Sequence, residues 1–170
     1  MNRDTIYITL RFLLLLLLQV LVFNKINLFG YINPHVYLLF IFLYPLEKER
    51  IKFLFISFLL GLSIDFFSNS GGINAAATLF VAYIRLSFIK VLLNKQDLDF
   101  KLFQLTSLSF PKLIVFISVQ IVIHHFLVFY LEYFSYHFLE TILFKTITAS
   151  AITILICTLS LIIFAKKKIA

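Results

Sequence analysis

Charge is scarce in this chain. Only 14% of its 170 residues are Asp, Glu, Lys or Arg, where an ordinary soluble domain carries about 25%. Apolar residues make up 62%, aromatic residues 18%, and the mean hydropathy is +1.03. So few charges would leave large apolar patches facing water, which excludes a soluble globular domain. The same composition excludes disorder. One cysteine, Cys157, makes no internal disulfide, so a disulfide scaffold is excluded and the redox compartment is unreadable. Four glycines and three prolines argue against a loop-rich β protein. A membrane β-barrel needs segments of about ten residues that alternate apolar and polar. Such alternation is missing too, because the apolar residues come in unbroken runs such as Leu13 to Leu18. What is there reads as an all-α polytopic membrane protein, since in lipid only helices or closed barrels satisfy the backbone.

Six stretches fit the roughly 17–25 apolar residues of a membrane span: about 6–24, 28–46, 51–68, 73–93, 111–133 and 141–164. They form one integral membrane domain over 1–170, with no room for a soluble catalytic domain. Lys and Arg set the orientation. Thirteen of the 15 basic residues flank one side of this six-span layout, and Lys25 and Lys145 alone lie on the other. Both termini are therefore expected in the cytoplasm, and the +7 net charge is topological. No soluble segment carries a basic patch with interleaved aromatics, so nucleic acid is not an expected partner. The first 24 residues resemble a signal peptide but lack a small-x-small cleavage site, and read as an uncleaved helix.

Span one is a Leu/Val/Phe cylinder with one polar residue in its core, Gln19, which suits lipid contact. Span two is interrupted by Gly30, Asn33 and Pro34, and its regular part starts no earlier than Pro34, which leaves it too short to cross alone. Either 28–33 continues it as irregular backbone, or these residues form an outer interfacial turn. Glu47-Lys48-Glu49-Arg50 is a charged turn, either a solvated hairpin or a docking point. In the 90–112 loop, Leu98, Leu102 and Leu105 share one helical face, as in a short interfacial helix.

Most of the small residues gather in spans three and four. Gly61 and Asp65 are four apart and share a face; Gly72 and Ala76 repeat that spacing, which lets helices approach closely. Asp65 lies 13 residues after Lys52, about 20 Å along a helix, inside a core about 30 Å thick. A buried carboxylate needs partners. The nearest are the N–H groups that start span four, around Gly71 to Asn74, so Asp65 is expected to cap that helix. Arg85 lies about 17 Å further down span four, too deep to pair with Asp65, and is expected to snorkel to cytoplasmic phosphates.

His124 and His125 sit deep in span five. Neighbours on a helix point about 100° apart, so they are not expected to face one site. No Glu or Cys completes a zinc set, and no metal is expected. His124 shares a face with Gln120, and that pair is expected to bond across helices. Span six carries Thr146, Ser150, Thr153, Cys157 and Ser160 on one narrow stripe, which either packs inside the bundle or receives a partner helix. Cys157 has no base at hand to act as a nucleophile.

Gly61-x-x-x-Asp65, then Gly72-x-x-Ala75, then Tyr83-x-Arg85, resembles the core signature of the rod shape-determining protein MreD family. The resemblance covers the chain in layout and about 25 residues in motif. The chain departs from the family in its Phe-rich composition and in the polar Asn33-Pro34-His35. The resemblance implies a non-enzymatic subunit of the bacterial cell-wall elongation machinery in the inner membrane, without a cofactor. Its implied partners are the bitopic MreC and, indirectly, the actin-like MreB, a polytopic glycosyltransferase and a penicillin-binding transpeptidase. The family is also similar in fold to the substrate-binding subunits of energy-coupling-factor vitamin transporters, which makes a small-molecule binding subunit the alternative. Such subunits dock through small residues on span one, and Leu13 to Leu18 offers none. An intramembrane hydrolase or transferase would need paired carboxylates or a His/Asp set at one depth, and the sequence shows neither.

Overall fold

A computed structural model describes residues 3–26, 32–46, 50–94 and 108–164. The interfacial helix expected at 98–105, Gly30, the Glu47–Glu49 part of the charged turn and the C-terminal lysines lie outside these. The regular structure of the described residues is all α, without strands: α1 (Arg3–Leu21), α2 (Leu38–Leu43), α3 (Ile51–Ser68), α4 (Ile73–Leu93), α5 (Phe110–Tyr133) and α6 (Leu139–Phe164). Short 3-10 turns at Phe23–Lys25 and Tyr136–Phe138 follow α1 and precede α6. Five of these helices are long and apolar enough to cross a membrane, so the chain is a multi-pass membrane protein.

α3 packs on α4, α4 on α5 and α5 on α6, while α1 leans on α3 and α2. α1 buries little beyond Leu15 and Gln19 and leaves Leu10, Leu13, Leu14 and Leu17 exposed. Its leucines thus meet the surroundings, as an all-Leu cylinder should.

The second expected span is not a transmembrane helix. Among its described residues only Leu38–Leu43 is α-helical, and yet every residue from Val36 to Phe42 is buried. The segment is the centre of the bundle. Ile32 packs with Phe129 and Ile142 at the end where α5 passes into α6. Tyr44 packs against Phe53 at the opposite end, with ring centroids 4.7 Å apart. Six α-helical residues rise only about 9 Å at about 1.5 Å each, so the stretch from Ile32 to Tyr44 reaches both ends by way of the non-helical backbone on either side of α2.

An interior six-residue helix must find partners for its ends. Gln19 supplies them at the start, donating to the carbonyl of Pro34 (3.0 Å) and accepting from the N–H of Tyr37 (3.3 Å). Two arginines close the other end. Arg11 donates to the Leu43 carbonyl (2.6 Å), and Arg85 donates to those of Phe42 (3.2 Å) and Tyr44 (2.7 Å). Arg85 does not snorkel. It is 2% exposed, and its guanidinium also lies 5.2 Å from the Phe53 ring centroid. The negative end of α2, where Pro45 blocks further helix, holds the cation more strongly than distant phosphates would. Arg85→Met should lower the unfolding free energy by about 2–3 kcal/mol, because two buried carbonyls lose a charged donor. Arg85→Lys should recover part of it. Denaturant unfolding in mixed micelles measures both, and an unchanged midpoint in Arg85→Met counts against the capping role.

Candidate functional site

The turn between α3 and α4 is built around Asp65. α3 ends at Asn69 in the left-handed region (φ 53°), where the N–H groups of Asn69 and Ser70 both return to the Asp65 carbonyl. Gly71 (φ 66°) and Gly72 (φ 94°) reverse the chain, a conformation that costs glycine little. α4 then starts with Asn74 and Ala75 as its second and third residues. Their N–H groups donate to the two carboxylate oxygens of Asp65, at 2.9 and 2.8 Å. The Asn74 side-chain amide (3.0 Å) and the Ser70 hydroxyl donate to Oδ1 as well. One carboxylate thus caps the helix that follows while its own carbonyl terminates the helix before.

Close approach of the two helices lies one residue from where the spacing put it. A Cβ on Gly61 would lie 2.6 Å from the Ala75 Cα and 2.7 Å from the Asn74 carbonyl oxygen. Ala75 is the residue in contact, and Ala76 is exposed. Gly72 serves the turn rather than the packing. Tyr83 points out of the bundle and is 62% exposed.

From Asn74 a chain of hydrogen bonds runs into the core. With its amide spent on Asp65 and Ser70, Asn74 offers Oδ1 to the Tyr37 hydroxyl at 3.1 Å. Tyr37 is fully buried, and its oxygen lies 3.0 Å from His124 Nε2 and 3.3 Å from the Thr78 hydroxyl. His124 Nδ1 faces His35 Nδ1 at 3.5 Å. His35 in turn stacks on His125, with centroids 4.7 Å apart and planes 18° from parallel. His125 Nδ1 meets the Ile121 carbonyl at 3.0 Å, and Nε2 meets the Thr153 hydroxyl at 3.3 Å.

Neighbouring histidines of α5 therefore do serve one site, against the expectation from helical spacing. His124 leans towards α4 and His125 towards α6, and His35 from the irregular segment fills the wedge between them. Its N–H is held by the Thr153 hydroxyl (3.3 Å). The expected Gln120 bond is absent: the residue is fully buried and its amide has no partner among the described residues. Thr146, Ser150, Thr153 and Cys157 are all buried, so the stripe of α6 faces its own bundle rather than a partner helix.

A cavity of about 860 Å³ opens beside this network at the α3–α4 turn. Asn24, Asn33, His35, Asn69, Glu132 and both minority-side lysines, Lys25 and Lys145, are among its lining. Lys145 lies over the rings of Tyr133 (5.0 Å) and Phe129 (5.9 Å). No family model, curated protein or solved structure matches the chain.

Proposed function

We propose that the chain is a non-enzymatic scaffold of the bacterial cell-wall elongation complex, in the manner of the MreD family. One observation carries the reading. Four of the residues that carry the resemblance, Gly61, Asp65, Gly72 and Ala75, make up one mechanical unit with Asn74, a helix hairpin locked by a shared carboxylate. The segment 32–46 acts as the second crossing. Six crossings put both termini on the side with thirteen basic residues, the cytoplasmic face of the inner membrane. The function is positioning. An MreC-like single-span protein binds an outward face, and through it MreB, a glycosyltransferase and a penicillin-binding transpeptidase are assembled.

Tyr83 belongs to the same signature and projects from α4 near the exposed Phe80, a surface for a partner helix. Tyr83→Ala should leave stability within about 0.5 kcal/mol of the parent, as exposed substitutions do, and reduce recovery of the partner on co-purification. Full recovery of the partner with Tyr83→Ala moves the contact off this face, and co-purification of transporter ATPase subunits in place of an MreC-like protein overturns the scaffold reading. The cavity at the α3–α4 turn favours a second reading, a substrate-binding subunit of an energy-coupling-factor-type transporter. A vitamin retained through purification would support it.

A further inference from the structure

The structure assigns a transition-metal site, of the kind that takes Zn²⁺, to His35, His124 and His125, whose ligand atoms lie within 4.8 Å of one another. This goes beyond the scaffold reading and does not depend on it.

The argument starts from where each proton must be. Asp65 is acceptor-only, so Asn74 presents its amide there and its Oδ1 to Tyr37. The Tyr37 hydroxyl spends its proton on Asn74, and its oxygen is left as an acceptor. His124 then donates Nε2–H to Tyr37, and its Nδ1 carries a bare lone pair. His125 donates Nδ1–H to the Ile121 carbonyl, and its Nε2 is left as an acceptor, 3.3 Å from the Thr153 hydroxyl. Both rings thus have one N–H bonded outward; the free lone pair of His124 is turned to His35, while that of His125 lies beside the Thr153 hydroxyl and must turn from it to share an ion with the other two. This is how the outer shell of a metal site orients its histidines, with the second ring nitrogen tied to a carbonyl or another acceptor.

The spacing agrees. An N–H···N bond between His35 and His124 at 3.5 Å exceeds the 2.7–3.2 Å usual for hydrogen bonds from N–H to oxygen. Two nitrogens on a tetrahedral zinc, each about 2.0–2.1 Å from the metal, stand about 3.4 Å apart. The widest pair, within 4.8 Å, closes by about 1.4 Å to reach that spacing. Three neutral imidazoles suit zinc and its neighbours in the first transition row, whereas Ca²⁺ and Mg²⁺ take oxygen ligands. His35 also lines the cavity, which supplies the access route and a water for the fourth position. The Asp65 charge, connected through Asn74 and Tyr37, offsets part of the buried dication. The metal ties the irregular segment at His35 to α5.

The test uses the full chain without a histidine tag, purified in detergent and stripped with a chelator. Titration with Co²⁺ should give the intense visible bands of four-coordinate cobalt at one ion per chain, displaced by Zn²⁺. Zn²⁺ should raise the melting temperature, and Mg²⁺ should not. His35→Phe, which keeps an aromatic ring on His125, should weaken binding at least 100-fold. Tyr37→Phe, which leaves all three histidines in place but removes the outward bond of His124 together with the hydroxyl's bonds to Asn74 and Thr78, should weaken it about tenfold. Absence of four-coordinate bands and of any Zn²⁺-dependent stabilisation in the parent chain overturns the site. So does binding by His35→Phe equal to that of the parent.

Discussion

Asp65→Ala is expected to cost about 3–5 kcal/mol of unfolding free energy and to cut the yield of folded protein sharply. The carboxylate is 4% exposed and accepts from the Asn74 and Ala75 N–H groups, the Asn74 amide and the Ser70 hydroxyl. Alanine leaves two backbone donors of α4 buried without a partner, at about 1–3 kcal/mol each. The favourable charge at the helix start is lost with them. Asp65→Asn tests the charge separately. Its oxygen still accepts one N–H, but its NH₂ faces another donor, so about half the loss remains. Denaturant unfolding in mixed micelles reads both variants. Parent-like stability and partner recovery in Asp65→Ala would remove the capping role.

The α3–α4 hairpin was legible from the chain because its determinants are local. A lone carboxylate four residues after a glycine, an Asn and a Gly-Gly pair before a new apolar run mark a stop, a turn and a cap. Helices α3 and α4 occupy the expected 51–68 and 73–93. Segment 32–46 was not legible to the same degree. What makes its centre helical is contributed by Gln19, Arg11 and Arg85, from α1 and α4, and no window along the chain contains them together. Arg85 was misplaced for the same reason. Depth along its own helix suggested lipid phosphate, while the stronger partner was the end of another helix.

The histidine cluster shows a limit of periodicity. Helical spacing separates the Cβ directions of His124 and His125, but the imidazole arm is long enough for both rings to reach one wedge. His35 lies in backbone with no period at all. The available signal was chemical: Asn33-Pro34-His35 is a polar interruption of an apolar segment, and a polar group buried in a bundle has to be matched by another. Gln19, noted as the lone polar residue in the core of span one, and the Thr153 stripe were its counterparts.

Gly61→Val should be as damaging as loss of Asp65, and by a coupled route. An added Cβ would sit 2.6 Å from the Ala75 Cα and 2.8 Å from the Ala75 nitrogen, where carbon atoms prefer about 3.5–4.0 Å. These are backbone atoms, so no rotamer change relieves the overlap, and α3 and α4 must part by about 1 Å. That movement draws the Ala75 N–H away from Asp65 Oδ2, now 2.8 Å distant. Overpacking alone costs about 1–3 kcal/mol, and the weakened cap adds to it, so a loss of about 3–4 kcal/mol is expected. Gly72→Ala is the contrast. Nothing lies within 4 Å of its added Cβ, and the penalty comes only from φ 94°, about 1–2 kcal/mol. Because Gly61 and Asp65 act on the same residue, the double variant Gly61→Val with Asp65→Ala should lose less than the sum of the two. A shortfall of about 1 kcal/mol or more is the scale for residues that share a partner. Additive losses would mean that the close approach and the cap are separate devices, and the hairpin would no longer count as one mechanical unit.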